Sequence, residues 1–294
     1  MIHGTEFTGL REALDDVEPS IRAGLERLID DVDADDIATR EPRDIVGAAA
    51  TMRRLASRRR SDETLIAVFT PTLKEDGWSS RRTIVDICTA DAPFLVDSVT
   101  AAVARQGLAV HLLAHPVVSV RRDDDGELLE MHTHGGELES WIHLEIDRVA
   151  TDEGREELAE RLRNVLADVH AAVADWRPMR RACLDLVTDL RTEPPTSVTQ
   201  EEIASAVEFL TWLAEDNFTF LGYREYALET DEEGQEVLRP LPHTGLGILR
   251  RPSTASTRLT PEAQRTAREP RLLTITKANS RATVHRDVYL DYIG

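Results

Sequence analysis

An α+β chain is predicted: a helical N-terminal lead, a ferredoxin-like βαββα sandwich on an antiparallel sheet, then a second α/β domain. Three observations predict it. The apolar period changes from helical to extended at Leu65. Residues 82–176 read β-α-β-β-α with one more hairpin strand in front, the split βαβ pattern. A Pro/Thr/Ser stretch at 191–199 then separates a fresh helix and further strand signals. The expected domains are 1–60, a helical segment; 61–190, the sandwich; 191–199, a linker; and 200–294, the second domain.

Residues 6–32 carry two apolar stripes. Leu10, Leu14 and Val17 make one; Ile21, Leu25, Leu28 and Ile29 make the other. Pro19 lies between them, where it can open a second helix. Pro42 opens the next, with Ile45, Val46, Ala49, Met52 and Leu55 on one face. Arg58, Arg59 and Arg60 follow it, where cations suit the helix dipole; the triplet could also grip an anion. Residues 65–70 and 82–89 are β-formers around a turn at 75–80, a hairpin. A tight Asp-x-Pro corner at 91–93 leads into a helix with Leu95, Val99, Ala102 and Val103 on one side, closed by Gly107. Residues 109–121 read as a long strand bent near Pro116. Residues 123–126 turn it back to a strand at 128–131, and 141–146 is another strand. Residues 152–176 are an amphipathic helix; 177–190 read equally as its continuation or as an edge segment.

Beyond the linker, Thr199 with Glu202 three residues on is a capping signal for a helix over 200–214. Strand signals follow at 218–226, 237–238, 272–276 and 288–293, with a turn at 232–234 and a polar excursion at 251–268. The chain stops inside a strand pattern, so the polypeptide is expected to continue past Gly294.

The formal net charge is −19, from 54 acidic and 35 basic residues, which disfavours nucleic acid and anionic membranes as partners. Residues 1–30 are charged throughout and lack the apolar core of a signal peptide, and no apolar run approaches the ~20 residues needed to span a bilayer. A cytoplasmic location is expected. Cys88 and Cys183 form no CxxC pattern, so neither zinc nor a disulfide framework is implied.

No catalytic residue and no resident cofactor or metal is expected from the motifs. Ser98 and Ser140 lie in no Gly-x-Ser-x-Gly elbow. His243-Thr244-Gly245-Leu246-Gly247 holds a Gly-x-Gly without the third glycine of a dinucleotide loop. His111, His115, His132, His134 and His143 crowd one predicted sheet, which admits a metal-hydrolase reading, although no carboxylate or cysteine is placed beside them by spacing. Ordinary hydrogen-bonded sheet histidines are the alternative. The corner at 91–98 also has two readings. In one, Asp91 caps the helix and Pro93 sits in its first turn. In the other, the free N–H groups of the helix N-terminus hold the carboxylate of an amino-acid effector, with Asp91, Pro93, Phe94, Leu95 and Asp97 as the site.

The corner within β-α-β-β-α resembles the ACT domain. Further stretches resemble the N-terminal regulatory region of the large, bacterial-type NAD-specific glutamate dehydrogenases. They are Pro93-Phe94-Leu95-Val96-Asp97-Ser98-Val99, His115-Pro116-Val117-Val118, residues 139–147 (ESWIHLEID), 217–224 (NFTFLGYR) and 273–280 (LTITKANS). The matching stretches run from about residue 42 to the end. The resemblance implies an ACT-like sandwich over 61–190 and a PAS-like α/β domain, C-terminally truncated, over 200–294. It further implies that NAD and the catalytic domains belong to later parts of the same polypeptide, that this part alone is inactive, and that it is a homo-oligomer with an amino acid as effector. A purely structural oligomerisation scaffold and a free-standing ACT-like amino-acid regulator are the alternatives. One departure stands out. Ligand-binding ACT corners often carry glycine after the proline, and this chain has Phe94, whose bulk lies where a small ligand would sit.

Overall fold

The computed structural model describes residues 8–15, 22, 26, 29, 40–131, 135–251, 257–258 and 271–294. The expectations placed on Val17, Pro19, Ile21, Leu25, Leu28, His132, His134 and most of 251–268 lie outside them. The chain divides into two compact units, Met1–Leu166 and Ala167–Gly294.

The first unit is built on a six-stranded antiparallel sheet. Strand β1 (Leu65–Phe69) and β2 (Thr83–Ala90) form the expected hairpin. What reads as a turn between them contains one helical turn, α3 (Leu73–Asp76), because the Thr72 hydroxyl accepts from the Glu75 N–H. Helix α4 (Leu95–Ala104) crosses to β3 (Val110–Ala114), which bends at His115 and Pro116 into β4 (Val117–Arg122). A turn leads to β5 (Leu128–Met131), and β6 (Glu137–Ile146) then enters the middle of the sheet. It runs antiparallel to β2 on one side, and to β3 and then β4 on the other. Strands β2 and β3 are therefore parallel but separated by β6, which is the split βαβ arrangement expected from the sequence.

The sheet has two covered faces. Along β6 the residues Ile142, Leu144 and Ile146 point one way and are fully buried with Val85 and Ile87 of β2. Helix α4 buries Leu95, Val99 and Val103, and the start of α5 (Asp152–Thr192) buries Leu158, Leu162 and Leu166. These apolar stripes account for that face. The other face carries Cys88, Val118, Val120 and Trp141, packed with Ala49, Met52 and Ala56 from α2 (Pro42–Leu55) and its end, and with Leu10 and Leu14 of α1 (Thr8–Asp15). The helical lead thus closes a sheet face that a bare βαββα unit leaves open. Helix α2 fits closely because Gly47 has no side chain. A Cβ there would lie 2.5 Å from the Trp78 ring, whose indole N–H donates to Thr51 Oγ1 at 3.1 Å.

In the second unit, residues 177–190 continue α5 as helix through Pro178. Thr199 caps α6 (Gln200–Trp212) as the sequence predicts, its hydroxyl accepting from the Glu202 N–H at 3.2 Å. A π-helical turn follows (Leu213–Asn217). The strands are short and form three small antiparallel sheets among the described residues. In the first, β7 (Gly222–Tyr223) pairs with β10 (Leu246–Gly247); in the second, β8 (Tyr226–Thr230), β9 (Glu236–Pro240) and β11 (Thr257–Arg258) lie together. In the third, β12 (Ile275–Arg281), later than the 272–276 expected, pairs with β13 (Tyr289–Ile293). Cys183, Val187, Leu210, Leu213 and Ala214 form the core.

Candidate functional site

Helix α4 begins after the Asp-x-Pro corner, but Asp91 does not cap it. The N-cap position is Phe94, which makes no side-chain cap bond. Asp91 instead accepts from the Ser140 hydroxyl at 2.6 Å, and its N–H donates to the Leu138 carbonyl at 3.0 Å. Ser140 Oγ also meets His115 Nε2 at 2.9 Å. The carboxylate lies three residues before the cap, where it reaches across to β6 more directly than back to the helix donors. Pro93 and Asp97 are exposed, Leu95 is buried, and Phe94 is half-buried. Phe94 adopts φ 72, ψ 0. The corner therefore keeps the left-handed backbone that glycine takes readily, in a residue that pays roughly 1–2 kcal/mol for it.

The face of β6 covered by α2 presents Glu139, Trp141, His143 and Glu145, all with hydrogen-bonding side chains. The Glu139 carboxylate is fully buried and accepts from Arg59 Nε (2.8 Å), Arg122 Nε (2.7 Å), Arg122 Nη2 (2.8 Å), Trp141 Nε1 (2.9 Å) and Cys88 Sγ (3.3 Å). Burial pushes this carboxyl up. The bonds from Arg122 and Trp141 and the charges of Arg59 and Arg122 outweigh it and hold it down at about 2. Burial, then the neighbouring carboxylate, raises the Cys88 thiol, so it is a protonated, inert packing group. The middle arginine of the predicted basic triplet is thus a buried structural cation.

Farther along β6, His143 Nδ1 lies 2.6 Å from Asp86 Oδ1. Burial favours the neutral ring, but the charge of Asp86 and its hydrogen bond raise the imidazole above its ordinary value. Glu145 is bonded by Arg40 Nη1. His143, Glu145 and Arg40 border a cavity of about 770 Å³. Its floor is β6 and β3, with Trp141, His143, Glu145, Leu112 and Ala114. Its roof is α2, with Asp44, Ile45, Ala48, Ala49 and Met52. Trp78 forms a wall, and Arg81, Arg82 and Arg148 stand at the rim. Among the described residues, Arg40 Nε and Asp86 Oδ2 are buried without a hydrogen-bond partner.

The expected corner residues do not line this cavity. Sequence reasoning placed His143 among sheet histidines and missed the cavity. The available signal was the alternation of Glu139, Trp141, His143 and Glu145 with buried aliphatics, since a polar row on a central strand must meet partners if its face is covered. The histidines are dispersed: His111 Nε2 meets Asp147 Oδ1 at 2.7 Å, while His115 and His143 have separate partners. Among the described residues no three His, Cys, Asp or Glu side chains are grouped as metal ligands. In the second unit the Gly-x-Gly glycines serve close packing. A Cβ on Gly247 (φ 58) would lie 2.2 Å from the Leu221 carbonyl oxygen. The Gly247 N–H donates to buried Asp175 at 2.8 Å, and Arg250 grips the same carboxylate. Among the described residues no helix is long and apolar enough to cross a membrane.

Residues 25–162 match the model of the glutamate dehydrogenase ACT1 domain. The chain is 34% identical over 283 residues to the NAD-specific glutamate dehydrogenase of Pseudomonas aeruginosa, a match covering 94% of this chain. It is 33% identical over 272 residues to that of Halomonas elongata, covering 89%, and 26% identical over 214 residues to that of Mycobacterium tuberculosis, covering 70%. The matches span 17%, 17% and 12% of those proteins, respectively.

Proposed function

We propose, from the similarity of residues 25–162 to the glutamate dehydrogenase ACT1 domain and of most of the chain to NAD-specific glutamate dehydrogenases, that the chain is the non-catalytic, N-terminal regulatory part of such an enzyme. The reaction, L-glutamate with NAD and water giving 2-oxoglutarate, ammonium and NADH, belongs in this reading to other parts of a longer cytoplasmic polypeptide, which also hold the NAD. One observation carries it: an ACT1 match in a chain that spans 17% of its relatives' length. Residues 1–60 are the helical lead, 61–190 the ACT-like domain, and 200–294, after the linker at 191–199, the PAS-like domain. The effector is a small amino acid at the corner of Asp91, Pro93, Phe94, Leu95 and Asp97. The left-handed turn at Phe94 supports this, since it is the backbone conformation that glycine takes readily at a tight corner before a helix.

The test has two parts. The purified chain should not reduce NAD with glutamate, whereas the protein read from the whole gene should. Calorimetry of the chain against the common amino acids should find saturable binding that Asp91→Ala removes. A second reading, an oligomerisation scaffold, has its own support. Val117 and Leu138 lie on one sheet face at neighbouring positions of β4 and β6 and are 46% and 55% exposed. Silence across the amino-acid panel, with a concentration-dependent dimer in sedimentation, favours that reading.

A further inference from the structure

We propose that the cavity between α2 and the β3/β6 face binds a small organic carboxylate with an apolar body, at a site separate from the corner. Its volume of about 770 Å³ lies in the range of small-molecule sites. Its walls are aliphatic and indole: Ile45, Ala49, Met52, Trp78, Leu112 and Trp141. Its polar groups are segregated. At the floor, the charges are already matched, Arg40 with Glu145 and His143 with Asp86. That end offers a buried Arg40 Nε donor but no excess charge.

The rim has the opposite character. Arg82 stands 3.6 Å from Asp147, while Arg81 and Arg148 have no ion-pair or hydrogen-bond partner among the described residues. Glu41 and Asp44 line the cavity too, Asp44 engaged by the Ser79 N–H at 3.1 Å; with Glu145 they set three carboxylates against the four arginines Arg40, Arg81, Arg82 and Arg148, so the lining keeps one positive charge. On a chain of net charge −19, two uncommitted guanidiniums at the mouth of an apolar cavity are a local reversal of sign. Guanidinium binds carboxylate through paired, charge-assisted N–H bonds. The ligand's carboxylate sits at Arg81 and Arg148, and its apolar part enters between Trp78 and Met52. This site depends only on the present chain and needs no dehydrogenase activity.

Three probes sharing one ring test the charge assignment: 3-phenylpropionate, L-phenylalanine and phenethylamine, titrated calorimetrically and by indole fluorescence. The carboxylate should bind, and the amine, which brings a cation to a cationic rim, should not. L-Phenylalanine should bind no more tightly than 3-phenylpropionate, because its ammonium, on the carbon next to the carboxylate, comes to the same arginine-rich rim. The double variant Arg81→Glu/Arg148→Glu should weaken 3-phenylpropionate about tenfold or more. Ala48→Phe should abolish binding by filling the space. Circular dichroism and the urea midpoint identify which variants are folded, and the exposed rim variant carries the test if Ala48→Phe does not fold. The proposal is overturned by no binding of 3-phenylpropionate at about 10 mM, by phenethylamine binding more tightly, or by a folded rim variant with unchanged affinity.

Discussion

Replacing Glu139 with glutamine keeps the shape of the side chain and an acceptor for the Trp141 indole, but removes the charge that faces Arg59 and Arg122. Those side chains are 1% and 7% exposed, so two guanidiniums would be left without a counter-ion in the interior. Removing one partner of a buried ion pair typically costs about 3–5 kcal/mol. The carboxyl supplies an independent figure. Its value falls from 4.5 to about 2 on folding, worth about 3 kcal/mol at neutral pH. The sign follows from the depressed value. The stabilisation is complete above 4.5 and is lost as pH falls towards 2. Urea unfolding followed through Trp78 and Trp141 in the first unit should therefore separate the parent and Glu139→Gln by about 3–5 kcal/mol at pH 7. That gap should narrow by roughly 1.4 kcal/mol by pH 3.5, one pH unit below the unfolded value. A gap under about 1 kcal/mol at pH 7, or one that stays constant or widens in acid, would refute the assignment of this network as a tightly held ion pair.

Gly47→Ala should lower the stability of the first unit by about 1–3 kcal/mol despite alanine's better helix propensity, because its Cβ meets the Trp78 ring; urea midpoints and Trp78 fluorescence check this. At the corner, Phe94→Gly should be more stable than Phe94→Ala by about 1 kcal/mol in the same assay, since both lose the ring but only glycine accepts φ 72 without strain. The pair of His143 and Asp86 should act in the opposite pH direction to Glu139. A raised imidazole stabilises fully below its ordinary 6.5 and loses that contribution as pH rises through the folded value, so His143→Gln should flatten the stability profile above about pH 6.5, with Glu145 and Arg40 as the other charges facing the ring.

The strands and helices of the sandwich were readable because each carries its own period. Residues 65–69 and 83–90 are apolar β-formers around Gly77, and Pro116 marks the bend between β3 and β4. The misreadings have local causes. A single hydroxyl, that of Thr72, converts part of the 75–80 turn into helix α3. Residues 177–190, which the sequence leaves open between helix and edge segment, continue helix α5 through Pro178. Asp91 has the right residue type for a cap but finds Ser140, 49 positions away, which no spacing rule foresees. The same applies to the cavity. Its lining joins α2 to β3 and β6 across roughly a hundred positions of sequence, and its rim arginines read individually as ordinary surface charge.

Strand β6 is the element through which the two proposed sites meet. Ser140 projects to one face and holds Asp91 at the corner; His143 and Glu145 project to the other and floor the cavity. A strand bonded on both sides cannot shift one face without moving the other. A carboxylate in the cavity and an amino acid at the corner therefore act on one element, and linkage requires each to change the other's affinity by the same factor. Titrating 3-phenylpropionate with and without saturating amino acid, and then the reverse, measures that factor twice. Equal factors different from one would show that the two sites are coupled, as their sharing of β6 predicts, and factors of one in both directions would make the sites independent. Unequal factors would contradict a scheme of two sites on one chain, because they would leave a binding event that neither site accounts for.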